Sequence, residues 1–331
     1  MTFQDTVPDT GRDFAVRLSV TERCQLRCTY CLPERGCGAV RDHGRELDHG
    51  QIISIIAALR HRHGVRRLRL TGGEPLLRRD IPAIVARVRE LGVTDVALTT
   101  NGQLLARDAL ALADAGLTRV NVSIDSMDTE VFRRVTRGGV LARTLGGIDA
   151  ALEAGLRPVK LNMVVLRGSN DGCTGAVLRH ALSLGCELRF LELMPIGVGA
   201  RNFRNEFVSS AEVRSSLEAQ GWSFEALPWD FLETSRDWRV RSPDGLSGVC
   251  GFVSPSSQPF CDGCRRLRIT SDGWLYGCLA RNERHDLSPV LGAADVAKGS
   301  EAWDQILRQA LLSKRGAKYV DAIPHMSMIG G

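Results

Sequence analysis

From Phe14 to Leu193 short apolar runs alternate with longer segments in which apolar positions recur every three or four residues. The short runs cover 14–20, 67–71, 95–100, 119–124, 159–166 and 187–193, and their length and strand-like patterning predict strands. The longer segments at 50–63, 81–91, 104–115, 141–154 and 175–184 predict helices. Two strands joined through a helix cannot form a hairpin, so the alternation predicts a parallel sheet with right-handed crossovers. Around residues 196–245 the pattern dissolves into Gly, Asn, Trp and charged stretches. A domain transition is expected there, with a core over 1–225 and a C-terminal domain over 226–331.

Bulk properties narrow the class. A chain of 331 residues allows one large domain or two. It has no apolar stretch of membrane-spanning length and no apolar signal region at its amino terminus. The ten cysteines would suggest disulfides in a small secreted domain, but six of them fall into two close groups. That grouping fits metal ligation in a reducing compartment better, so a cytoplasmic location is expected. The net charge of +5 suits an anionic partner and a solvated arginine-rich surface equally well.

Cys24, Cys28 and Cys31 follow the first predicted strand in one short loop. Four thiolates close a 4Fe–4S cluster, and three leave one iron open to an outside ligand. Zinc is the alternative, with His43 and Cys37 as the nearby candidates for a fourth ligand. A second group, Cys261 and Cys264, is joined by Cys278 after thirteen intervening residues. The stretch between them carries a Ser-Asp-Gly turn at 271–273 between two extended runs and predicts a hairpin, which would return Cys278 to the other two. Taken alone, this group fits either a zinc knuckle or a second cluster.

The spacing Cys-x3-Cys-x2-Cys, with Tyr30 before the last cysteine, resembles the signature of the radical S-adenosylmethionine (SAM) enzymes. Thr71-Gly-Gly-Glu-Pro75 follows the second predicted strand and is similar to the glycine-rich motif of that superfamily. The C-terminal cysteines with Arg266-x-Arg268, the segments 99–102, 119–125 and 189–195, Lys160, and a chain ending Met-Ile-Gly-Gly331 closely resemble the GTP 3′,8-cyclase family of molybdenum cofactor biosynthesis. The resemblance runs from Arg17 to Gly331.

The resemblance implies an open (β/α)6 partial TIM barrel with a C-terminal domain carrying a second iron–sulfur cluster. It implies two 4Fe–4S clusters, on Cys24, Cys28 and Cys31 and on Cys261, Cys264 and Cys278. SAM contacts then fall on Tyr30, Gly73, Ser123 and Met194, and GTP contacts on Arg17, Arg69, Thr100, Lys160, Arg266, Leu267 (through its backbone) and Arg268. Arg67 and Arg189 are further phosphate candidates. Arg17 is also the expected catalytic residue, beside a terminal tail ending Gly330 and Gly331. Guanidinium groups suit a triphosphate through bidentate charge-assisted hydrogen bonds, and a cation inside an apolar strand requires an anionic partner.

The implied chemistry is reductive cleavage of SAM on the open iron. The resulting 5′-deoxyadenosyl radical takes hydrogen from C3′ of the GTP ribose, and C3′ then adds to C8 of guanine. The second cluster orients the base. The partners implied are GTP, a reductant such as flavodoxin or ferredoxin, and a downstream cyclic pyranopterin monophosphate synthase. No nucleic acid and no membrane are expected, and the state is a monomer or homodimer. Leu32 and Arg265 depart from the commonest wording of the motifs, and Arg265 bears on the guanine side. A paralogue acting on another nucleotide or a peptide, and a non-catalytic cluster or zinc protein, are the competing readings.

Overall fold

Six strands lie side by side in chain order, all parallel: β1 (Ala15–Ser19), β2 (Arg67–Thr71), β3 (Asp95–Thr100), β4 (Arg119–Ser123), β5 (Val159–Val165) and β6 (Glu187–Glu192). The computed structural model describes residues 14–34, 46–230, 233–261, 264–291 and 301–314. Helices link the strands: α1 (His49–His63), α2 (Ile81–Glu90), α3 (Leu105–Asp114), α4 (Thr129–Thr136), α5 (Leu141–Glu153) and α6 (Thr174–Ser183). Strand and helix ends fall within one residue of the sequence expectation. The unexpected helix, α4, begins where Asp128 accepts hydrogen bonds from the amides of Glu130 and Val131.

The sheet does not close. β1 takes β10 (Arg266–Ile269) on its free side, parallel, and β6 takes β9 (Ser247–Val253), also parallel. Beyond β10 lie β11 (Trp274–Tyr276) and β12 (His285–Asp286), and beyond β9 lie β8 (Arg236–Arg241) and β7 (Ser223–Ala226), all antiparallel. Among the described residues this is one open twelve-stranded sheet. Its central six strands form the expected open partial barrel, and both edges are extended by C-terminal strands.

The region expected to lose its pattern is ordered into α7 (Val198–Glu206), α8 (Ser210–Ala219), β7 and β8. Its strands are short, β8 is rich in arginine, and much of their surface is exposed, so the two alternate apolar positions in each, Phe224 and Ala226 and then Trp238 and Val240, make only a weak period. The predicted hairpin is β10–β11, turning at Gly273 with φ of +88°. The last described helix, α9 (Glu301–Leu312), buries Trp303, Leu307 and Ala310.

One face of the sheet is apolar and covered by helices. Leu18, Leu70, Leu98, Val122, Leu161 and Leu188 pack there with Ile52, Ile56, Ile84, Leu112 and Ile148 in one core. The other face carries the alternate residues, most of them polar, with Ala97, Val164 and Leu191 among the exceptions. Phe190 of β6 joins the barrel core to the C-terminal strands, its ring centroid 5.7 Å from that of Phe252 in β9. Phe190→Ala should lower unfolding stability by about 3–5 kcal/mol, the usual range for emptying a buried aromatic site. A shift in urea midpoint at unchanged slope measures it.

Candidate functional site

The first cysteine loop leaves the carboxyl end of β1 and is held on three sides. On the β2 side, Gly73 donates to the carbonyl of Thr21 at 2.8 Å and Glu74 to that of Arg23 at 2.8 Å. A Cβ at Gly73 would lie 2.4 Å from the Arg23 carbonyl oxygen, and one at Gly72 the same distance from that of Thr21. Glycine is required here because two backbones touch. On the α4 side, Thr29 and Arg27 donate to the carbonyls of Val135 and Thr136, and Arg137 reaches the carbonyl of Leu32 at 3.2 Å. The third anchor is Tyr30, whose hydroxyl donates to Asp125 at 2.9 Å just beyond β4.

The three thiols share one electrostatic environment. Burial pushes Cys24 up to about 11 and Cys31 up to about 12, and Cys28 also upward. Cys28 is raised further by Asp125, Cys31 and Cys24, and Cys31 by Cys24 and Asp125. Such a group resists ionisation until a cation joins it, which is the donor set an iron cluster would need. Asn101 places its side-chain amide 3.8 Å from the Cys24 sulfur. Among the described residues no three His, Cys, Asp or Glu side chains close around a single ion.

The polar face of the sheet carries a row of cations. Parallel register sets Arg268, Arg17 and Arg69 on one rung of β10, β1 and β2, and continues through Ala97 to Arg119. Arg17 is held well below the usual arginine range by burial and then by Arg268, Arg69 and Arg266. Arg69 is pushed down to about 9 by burial, with Arg189 and Arg119 adding to it. Arg119 pairs with Asp95 at 2.8 Å, and Lys160 pairs with Glu187. The crowding of Arg17, Arg69 and Arg268 suits a polyanion.

The second cysteine group lies against the same row. Cys264 precedes Arg266 by two residues, and Cys278 follows β11. Burial pushes the Cys264 thiol up, but Lys314 and Arg266 outweigh it and bring it down to about 7. Cys278 acts on the same Lys314, so the hairpin does return it to the side of Cys264. Met194 packs with Tyr276 and Leu279 on this side, while its carbonyl closely approaches Gly199, which also nears the Tyr30 carbonyl. Cys264 stands at the amino end of β10 and the first loop at the carboxyl end of its parallel neighbour β1, so the strands bearing Arg17 and Arg268 run between the two cysteine groups.

A model of the radical SAM superfamily matches residues 18–181, and one for Molybdenum Cofactor Synthesis C matches residues 186–319. The chain is 44% identical over 283 residues to the GTP 3′,8-cyclase of Heliobacterium modesticaldum, covering 85% of each. It is 36% identical over 323 residues to that of Limosilactobacillus fermentum, covering 96% of each. The chain belongs to the GTP 3′,8-cyclase family. Among solved structures, Streptococcus suis SuiB bound to precursor peptide SuiA aligns with a TM-score of 0.63 at 15% identity, over 86% of this chain and 66% of that one. That likeness concerns the fold alone.

Against this family background, the residues expected from sequence occupy different positions in the site. Arg17, Arg69 and Arg268 share the rung, and Arg266 lies two residues earlier on the same face, its guanidinium over the Phe260 ring. Leu267 points into the core and leaves only its backbone for a ligand. Thr100 pairs with Val122 on the helix-covered side, and its hydroxyl donates to Glu74 at 2.7 Å. Ser123 ends β4 beside Asn162. Cys37 and the Gly330–Gly331 tail lie outside the described residues.

Sequence reasoning missed the supports of these residues. Asn101 and Asp125 fell within the matched segments 99–102 and 119–125 without a role of their own, and Lys314, at a helix end, was flagged by nothing. Glu74 was legible only as part of a motif. Fully buried, it accepts from the amides of Leu76 and Asn101 and from Thr100, tying the glycine motif to the end of β3. Burial raises its pKa from 4.5 to about 7. Between those values the folded protein keeps a proton that the unfolded chain has lost, so this contribution to stability declines as pH rises and is fully lost above about pH 7. In the apoprotein, Glu74→Gln should flatten the fall in urea midpoint between pH 5 and pH 7. An unchanged slope would assign that fall to other groups.

Proposed function

We infer that this chain converts GTP to (8S)-3′,8-cyclo-7,8-dihydroguanosine 5′-triphosphate, the first step of molybdenum cofactor biosynthesis. The observation that carries the reading is the rung of crowded arginines between two cysteine groups. A triphosphate neutralises such a rung, and a nucleotide bound there extends toward both groups.

Cys24, Cys28 and Cys31 hold one 4Fe–4S cluster and Cys261, Cys264 and Cys278 the other. When bound, SAM on the first cluster supplies the 5′-deoxyadenosyl radical that takes hydrogen from ribose C3′. Tyr30, Gly73, Ser123 and Met194 cradle SAM, and the hydrogen bond from Tyr30 to Asp125 keeps that side of the loop in place. Arg17, Arg69, Arg266 and Arg268 bind the triphosphate. Lys160 joins them by sharing its ammonium between Glu187 and phosphate, and Leu267 offers its backbone. Thr100 acts through Glu74, to which its hydroxyl is committed. Arg17, central in the row, sets where the ribose stands and so whether C3′ and C8 meet.

The reductant is a low-potential carrier such as flavodoxin or ferredoxin, the product passes to a cyclic pyranopterin monophosphate synthase, and the compartment is the cytoplasm. Among the described residues no helix is long and apolar enough to cross a membrane.

Anaerobically reconstituted protein should be incubated with SAM, dithionite and each ribonucleoside triphosphate in turn, with 5′-deoxyadenosine and nucleotide products read by mass spectrometry. Cyclised product is expected from GTP alone, and comparable product from another nucleotide would overturn the substrate assignment. Cys24→Ala should abolish 5′-deoxyadenosine. Cys278→Ala should still release some, with no cyclised nucleotide; normal product from it would make the second group structural.

The arginine row makes its own prediction. Arg17→Ala should weaken GTP binding about tenfold to a hundredfold, as expected for loss of a charge-assisted contact in a confined site. SAM affinity should stay the same. Equal losses for both ligands in equilibrium binding would instead indicate a damaged fold.

A further inference from the structure

Helix α9 is seated directly on the second cysteine group. A Cβ added to Gly277, the residue before Cys278, would lie 1.7 Å from the carbonyl oxygen of Ala310 and 2.5 Å from the Ser313 hydroxyl. Only glycine lets the helix end and the strand end touch in this way. The contact brings Lys314, two residues past the helix, into the space between Cys264 and β10. Its ammonium donates to the Arg266 carbonyl at 2.6 Å and to the Cys264 sulfur at 3.5 Å. It also lies within electrostatic range of Cys278. One cation thus addresses two of the three cysteines and the first residue of the strand that bears Arg266 and Arg268.

We propose that Lys314 is a positioning residue of the second cluster, donating to the Cys264 sulfur and fixing a positive charge that raises the cluster's reduction potential. The proposal rests on reading Cys261, Cys264 and Cys278 as cluster ligands. Reduction adds one negative charge to an iron–sulfur cluster. A hydrogen-bonded cation at a ligand sulfur stabilises that reduced form more than the oxidised one. The anchor on the Arg266 carbonyl holds the ammonium in place, and Gly277 sets the distance of the helix that delivers it. A purely structural Lys314 would cap that carbonyl and leave the potential alone.

The full-length chain with Cys24, Cys28 and Cys31 replaced by alanine isolates the second group for measurement. After anaerobic reconstitution, iron and sulfide content and a redox titration followed by electron paramagnetic resonance are compared for this parent, Lys314→Arg, Lys314→Gln and Lys314→Met. The parent and Lys314→Arg should hold a cluster of similar potential. In Lys314→Met the ratio of reduced to oxidised cluster at a fixed potential should fall about tenfold, a shift of about 59 mV for one electron. Lys314→Gln, neutral but still a donor, should shift in the same direction. Gly277→Ala should do likewise, because it moves the helix.

If Lys314→Met cannot retain iron, Lys314→Gln decides the matter. Loss of the cluster from both neutral variants, with retention in Lys314→Arg, also supports the charge. An unchanged potential in the neutral variants overturns the proposal, as does loss of the cluster from Lys314→Arg. A parent that binds no iron overturns the cluster reading and the proposal with it.

Discussion

Crowded positive charge on the inner face of the sheet is the constraint on which the site depends. Neighbouring strands stand about 4.8 Å apart, so one rung sets the backbones of Arg268, Arg17 and Arg69 within about 10 Å of one another. Water screens such repulsion on an open surface. Here burial and the neighbouring arginines together push Arg17 well below its ordinary value. Folding must sustain this against the general rule that buried cations need partners. The apolar core on the opposite face makes it possible, because the same alternation that points Arg17 inward sends Val16 and Leu18 among the helices. A polyanion would relieve the mutual repulsion of Arg17, Arg69 and Arg268.

The two cysteine groups differ in a way that matches their surroundings. Cys24, Cys28 and Cys31 sit in a half-buried loop with Asp125 close by, and their thiols are pushed upward. Cys264 sits beside Lys314 and Arg266, and its thiol is drawn down to about 7. The first environment disfavours added negative charge until metal arrives, whereas the second already favours it.

Much of the fold was legible from sequence because its central strands are buried against helices on one face and carry isolated polar residues on the other. The run Arg67-Leu-Arg-Leu-Thr71 shows this directly: two leucines in the core, two arginines on the inner face. The cysteine spacing was equally plain. The supports were not. Asp125 is one aspartate in a polar turn, and nothing in its neighbours announces that Tyr30 will reach it from 95 positions away. Lys314 resembles any basic residue after a helix until Gly277 is seen beneath that helix. The segments at 198–219 were missed because their helices expose most of their residues, and β7 and β8 because each offers only two alternate apolar positions among polar and charged ones.

Register, more than the linker, sets how the C-terminal half meets the barrel. β10 pairs with β1 through Ala15–Arg266 and Arg17–Arg268, while β9 pairs with β6 through Leu188–Cys250. Both edges of the six-strand unit are therefore closed by strands from the part of the chain that bears the second cysteine group. A slip of one residue in β10 would turn Arg266 and Arg268 outward and bring Leu267 onto the rung, since side chains alternate with a period of two. It would also move Cys264 by about 3.3 Å relative to Cys24. Leu267 and Ile269, fully buried on the helix side, make that slip costly. The apolar packing of these two side chains thus holds the arginines, and the cysteines beside them, in alignment with the first loop.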